Sequence, residues 1–134
     1  MNRLFFFVVA LLLMRCENDR RAEVIGTWKI DSVYSYYNRY GFTHYNPPVN
    51  PLFHFQADGK LKMTLKEESR FQTYTLPHPD SLVFYGPDST VVAKYLIVEL
   101  TENRLVLKER KQPLFKGENQ ERYELKYFSR AKGS

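Results

Sequence analysis

Few side chains in this chain are of a type and spacing that could do chemistry. Its one cysteine, Cys16, directly follows an unbroken apolar run from Leu4 to Met14, a position that suits attachment better than catalysis. A nucleophilic Ser or Thr needs an adjacent base, and no Gly-x-Ser-x-Gly elbow is present. His44, His54 and His78 have no metal-ligand spacing. His54 opposes Phe53 and Phe55 in parity, which predicts a wet face, and His78 sits between two prolines, which predicts a turn. Glu67, Glu68 and Glu99 have no common parity that would bring them into one pocket. The six glycines are isolated from one another, so neither a phosphate cradle nor a dinucleotide fingerprint exists. These features predict a non-enzymatic protein without metal or cofactor.

One cluster stands out. Tyr34, Tyr36, Tyr37, Tyr40 and Tyr45 fall within twelve residues, across the connection from the first predicted strand to the proline-rich entry of the second. Tyrosine joins an apolar ring to a polar tip. Such a connection could act as a lid over a binding site for a lipid-like, aromatic or glycan ligand, present an aromatic patch to a protein partner, or simply pack Tyr34 and Tyr36 inside the fold.

The elements that must position these rings are strands. With 134 residues, the chain has room for one domain. Its aromatic content of 16% is too high for disorder, and no apolar run reaches the ~18 residues of a membrane-spanning helix. Trp28, Ile30, Tyr34 and Tyr36 share one parity, opposed by Lys29, Asp31 and Ser35, over a strand at about 24–36. Further strands follow at 52–56, before the Asp58-Gly59 hairpin signal, then at about 60–66, 70–76, 81–85, 90–100, around Leu105 and Leu107, and at 121–128. Residues 111–120 read as a loop. Eight strands joined by short turns, with no amphipathic helix beyond a turn within 36–46, predict an all-β, antiparallel, up-and-down barrel, a β-sandwich being the alternative. The inward set predicted from parity is Trp28, Tyr34, Phe53, Phe55, Met63, Leu65, Phe71, Phe84, Leu96, Leu105, Tyr123 and Tyr127. So bulky a set predicts a small interior cavity or none.

Met1-Asn2-Arg3 followed by the apolar run has the form of an export signal, 1–15. Cys16 stands where a bacterial lipoprotein signal places its lipidated residue, with Leu13 fitting the lipobox and Arg15 departing from it. The expected organisation is therefore a signal at 1–15, lipidated Cys16 with a polar tether to 22, a barrel over 23–130 and a tail at 131–134. Removing 1–15 lowers the net charge from +5 to +3, which does not suggest a nucleic-acid partner.

Gly26-Thr27-Trp28 resembles the Gly-x-Trp motif that opens lipocalins and their bacterial lipocalin-like relatives. IGTWKIDSV, FQADGKLKM, YLIVELTENRLVLKER and ERYELKYFSR together look like the small lipocalin-like lipoproteins of Gram-negative bacteria, over residues 24–130. Thr101-Glu102-Asn103 replaces the family's Thr-Asp-Tyr turn. The resemblance implies that Trp28 packs across a closed barrel end beneath an arginine that follows the last strand, Arg130 being the match and Arg122 the second candidate. It further implies a lipid-anchored binder of a small hydrophobic ligand in the cell envelope, on the outer membrane and facing the periplasm or the outside. The alternative is an accessory or inhibitor module that binds an envelope protein through the 34–45 connection.

Metabolic labelling with a clickable fatty acid is expected to mark the wild type and not Cys16→Ser. Equal labelling of the two would show that Cys16 carries no lipid.

Overall fold

A computed structural model describes residues 15–45, 50–114 and 120–132; the apolar run of the expected signal lies outside them. Helix α1 (Arg15–Val24) is followed by nine strands: β1 (Gly26–Tyr37), β2 (Tyr40–Tyr45), β3 (Leu52–Phe55), β4 (Lys60–Leu65), β5 (Glu68–His78), β6 (Ser81–Tyr85), β7 (Val91–Leu100), β8 (Arg104–Arg110) and β9 (Arg122–Arg130). Each of β3 to β9 pairs antiparallel with the next, and β1 closes the ring by pairing with both β3 and β9. The fold is a closed eight-stranded up-and-down barrel plus one extra strand. Closure removes the edges that an open meander would expose.

The extra strand is β2. The expected connection over 36–46 is a tight hairpin, in which Asn38 and Arg39 both have positive φ (45° and 74°) between the paired Tyr37 and Tyr40. Two such residues match the right-handed twist of the flanking strands. β1 is twelve residues long, and its first part pairs with β3 while its later part, Ser32 to Tyr37, pairs with β2.

The expected tether over 17–22 is helical and belongs to α1. The segment has no apolar stripe to announce a helix. It is held at its end instead, by the burial of Val24, by the Trp28 indole N–H donating to Val24 O at 2.9 Å, and by an Arg20–Asp80 ion pair at 3.9 Å.

One end of the barrel is filled. Trp28, Phe55, Leu61, Tyr74, Leu82, Phe84, Ile97, Leu105, Leu107 and Phe128 form a continuous buried core. The Phe55 ring meets Tyr74 edge-on at 5.0 Å, and Phe53 meets Phe128 at 5.3 Å. Arg130 rather than Arg122 lies over Trp28, with its guanidinium carbon 4.0 Å from the ring centroid.

Five residues expected inside are outside. Ile30 pairs with Phe128 but Ser32 pairs with Tyr127, so Asp31 is an extra residue in a β-bulge. A bulge of one residue reverses the side-chain parity beyond it. Val33, Ser35 and Tyr37 consequently face inward, and Tyr34 and Tyr36 outward. On β9 the inward parity is set by Phe128 and continues through Lys126, Glu124 and Arg122, which sends Tyr127 and Tyr123 to the outer wall. Phe71 is 58% exposed because it stands opposite Lys62, whose ammonium lies 5.9 Å from its ring centroid. Leu96 is 50% exposed, the inward positions of β7 being Ala93, Tyr95 and Ile97.

Trp28→Ala is expected to lower stability by about 3–5 kcal/mol in denaturant unfolding, whereas Lys62→Ala on the outer wall should change it by less than about 0.5 kcal/mol. Similar losses from both would contradict the partition between core and wall.

Candidate functional site

At the end away from Trp28 the inward residues change from apolar to charged. Successive pairs along β8, β9 and β1 form layers. Leu105, Phe128 and Ile30 make the top of the apolar core. Leu107, Lys126 and Val33 come next, and then Glu109, Glu124 and Ser35. Lys111, just past β8, donates its N–H to Arg122 O at 2.9 Å, and Arg122 pairs with Tyr37. The mouth therefore carries a cationic layer over an anionic layer over a single lysine.

Two carboxylates directly opposed across strands repel each other. Here the lysines compensate. Lys111 Nζ is 3.0 Å from Glu109 Oε2 and 3.9 Å from Glu124 Oε2, while Lys126 Nζ is 3.5 Å from Glu109 Oε2. Glu109 Oε2 is out of solvent and held by these ammonium groups as ion pairs rather than by aligned hydrogen bonds. Lys126 also donates to the Tyr95 hydroxyl at 3.2 Å. Burial alone would push the Lys126 pKa down, but Tyr95, Glu109 and Glu124 outweigh it and the net shift is upward.

At the level of the outer charged layers the β1–β2 hairpin and β9 border a pocket of about 330 Å³, lined by Ser35, Tyr36, Tyr37, Tyr40, Phe42, Leu114, Arg122, Tyr123 and Glu124. The hairpin is clasped to the β9 entry, for Asn38 N–H donates to Glu121 O and Glu121 N–H donates to Asn38 Oδ1, both at 3.1 Å. Tyr37 adds a hydrogen bond from its hydroxyl to Gln120 Oε1 at 2.7 Å. These ties hold the rim aromatics over the mouth.

Of the five tyrosines expected to bind ligand, Tyr36, Tyr37 and Tyr40 line the pocket and the other two do not. Tyr34 lies on the outer wall, its hydroxyl so close over Gly41 that a Cβ there would collide with it. Tyr45, 77% exposed, pairs with Ser32 below the pocket. Tyr36 stacks on Tyr123 at 4.7 Å, and Lys108 lies 4.3 Å from the Tyr123 ring centroid. Burial raises the Tyr123 pKa, and Tyr34, Glu121, Tyr36 and Tyr127 raise it further.

Phe42, Leu114, Arg122, Tyr123 and Glu124 were not among the expected site residues, nor were Glu109, Lys111 and Lys126 beneath them. Alternation on β9 does separate Arg122, Glu124 and Lys126 from the tyrosines; what it lacks is the sign of the parity, which the Phe128 contact sets. His54 accepts or shares a hydrogen bond with Thr27 Oγ1 and is half-buried on the outer wall rather than fully wet. Among the described residues no group of three or more His, Cys, Asp or Glu is placed to hold a metal.

The chain matches no known protein-family model and no curated protein.

Lys126→Met is expected to lower stability at neutral pH by about 1–3 kcal/mol, since it strips a counter-ion from two facing carboxylates. Its pKa is raised by folding, so its contribution is complete below the unfolded value near 10.4 and is lost as the pH rises through the higher folded value. Melting curves of wild type and variant should converge in alkaline solution. A gap that stays constant through the lysine titration range would contradict this role.

Proposed function

We infer that this protein is a membrane-anchored, lipocalin-like, non-enzymatic lipoprotein of the bacterial envelope whose barrel mouth binds a small molecule with an apolar body. The observation that carries this reading is the 330 Å³ pocket of rim aromatics standing over a closed barrel end that is filled with side chains. A ligand would lie against Tyr37, Tyr40, Phe42 and Leu114 at the mouth rather than run down the barrel axis. Tyr40 is 82% exposed, and so large a free ring area is available to a ligand at little conformational cost because a tyrosine has two side-chain torsions. The lipid on Cys16 would supply the anchor, two or more acyl chains being enough for stable attachment. Support for the family comes from Gly26, Trp28 and Arg130, which meet at the closed end as the lipocalin-like resemblance implies. Nothing in the charged layers arranges a nucleophile with a base, which favours binding over catalysis, and no nucleic-acid partner or cofactor is proposed.

A second reading, an accessory or inhibitor module for an envelope protein, is favoured by β2. That strand pairs only with β1 among the described residues and carries the exposed rings of Tyr40, Phe42 and Tyr45. An open edge with exposed aromatics can add a strand from a partner.

Replacing Tyr37, Tyr40 and Phe42 together by Ser is expected to abolish binding of a neutral aromatic probe, 2-naphthylmethanol, while moving the melting temperature by only a few degrees. A large drop in melting temperature would assign these rings to the fold. Unchanged melting with no probe binding by either protein would transfer the weight to the protein partner, for which pull-down from envelope extracts by wild type but not the variant is the required result.

A further inference from the structure

The charged layers specify the ligand more narrowly than the aromatic rim does. The outermost inward layer, the one nearest the rim, is cationic: Arg122 lines the pocket itself, and Lys111 stands beside it, joined by the 2.9 Å backbone hydrogen bond. Arg122 commits one guanidinium N–H to Gln112 O at 3.2 Å, and its fork has five donors in all. Glu109 is held from both sides, by Lys111 and Lys126, whereas Glu124, which also lines the pocket, has Lys111 alone at 3.9 Å. On the β8–β9 side of the mouth three cations, Lys111, Arg122 and Lys126, stand against two carboxylates, Glu109 and Glu124, and the outermost of these groups, Lys111 and Arg122, are cationic. Size gives a second constraint. The pocket holds about 330 Å³, and the barrel below is occupied first by the Glu109 and Lys126 side chains and then by the apolar core. A long alkyl tail has no apolar channel to enter.

We propose that the mouth binds a short amphipathic anion, an aromatic or compact aliphatic body bearing one carboxylate-type group, with the body against Tyr37, Tyr40, Phe42 and Leu114 and the acidic group on Arg122 and Lys111. This rests on the mouth being a ligand site and names the class of ligand it takes. Arg122 suits the task because a guanidinium can grip a carboxylate with two parallel hydrogen bonds. Lys126 acts from below as a positioning residue. By holding Glu109 it leaves Lys111 less fully neutralised and its remaining donors available to a ligand.

The test is titration calorimetry of the full barrel at low salt with three probes of one shape: 2-naphthoate, 2-naphthylmethanol and 2-naphthylmethylammonium. Naphthoate is expected to bind at least about tenfold more tightly than the alcohol, the ammonium least. Arg122→Met and Lys111→Met should each weaken naphthoate about tenfold, the scale of one charge-assisted hydrogen bond, and leave the alcohol unchanged. Lys94→Met on the outer wall should alter neither, and melting curves of all variants verify folding. Equal affinity for naphthoate and the alcohol, or loss of naphthoate binding in Lys94→Met as well, would overturn the anion proposal while the mouth remained a ligand site. Tightest binding of the ammonium would overturn it in favour of Glu124. Failure of all three probes to bind the wild type would overturn the ligand site and this proposal together.

Discussion

Arg130 is the residue on which the closed end depends. One face of its guanidinium covers the Trp28 ring at 4.0 Å, and its nitrogens donate to Ile25 O at 2.6 Å, Glu23 O at 3.0 Å and Glu102 O at 2.9 Å. A cation–π contact contributes roughly 0.5–2 kcal/mol, and hydrogen bonds from a charged donor contribute more than neutral ones. Those three carbonyls belong to the end of α1, the entry to β1 and the β7–β8 turn, so a single side chain ties the first strand to the last at the seam of the barrel. Gly26 is part of the same arrangement. Its φ is +128°, and a Cβ there would run into the Arg130 guanidinium, so only glycine allows both the backbone turn and the close approach. Gly26, Trp28 and Arg130 are therefore one stereochemical unit spread across a hundred residues of sequence.

From that fixed end the bulge at Asp31 determines what the mouth becomes. Asp31 accepts a hydrogen bond from Ser129 Oγ at 3.0 Å, which secures the extra residue against β9. Below it, β1 contributes Trp28 and Ile30 to the interior. Above it, β1 contributes Val33, Ser35 and Tyr37, and faces Lys126, Glu124 and Arg122 across the seam. Charged groups at this depth remain near water and have partners at 3.0–3.9 Å, so their desolvation is partial and compensated. Any one of these groups placed alone beside Phe55 and Leu61 would have neither water nor a partner. The barrel is thus graded along its axis, apolar and filled at one end, ionic and open at the other.

Much of this was legible in the sequence, for identifiable reasons. Strands such as β4, with Leu61, Met63 and Leu65 opposed to Lys60, Lys62 and Thr64, have one wet face and announce their period. Asp58-Gly59 marks a turn in which Gly59 takes a φ of +86°, and the Gly26, Trp28 and Arg130 set follows from the lipocalin-like resemblance. The mouth is not legible, because nothing in the sequence marks a break in parity at Asp31 and the more hydrophobic face of each strand reads as the interior. On β9 and β5 that choice fails. The inward residues near the mouth are Arg122, Glu124 and Lys126 on one strand and Arg70 and Gln72 on the other, while Tyr123, Tyr127 and Phe71 cover their rings with Lys108, Arg104 and Lys62 on the outer wall. On β7 the run Tyr95 to Val98 is apolar at both parities and could not choose. Helix α1 is not legible because its contacts are made by its final residue and by arginines, not by an apolar stripe.

The charged side chains of β9 point into the barrel and are locked there by β8. Nitrogen-15 NMR of lysine side-chain ammonium groups tests it most directly, since an ammonium held in an ion-pair network exchanges its protons slowly enough to be seen and a solvated one does not. Lys111 and Lys126 are expected to give resolved ammonium signals at neutral pH that are lost or displaced together in Glu109→Gln, with none from Lys62 or Lys94. Signals absent from both mouth lysines, or unaffected by Glu109→Gln, would contradict the inward ionic layers and return the tyrosines of β9 to the interior.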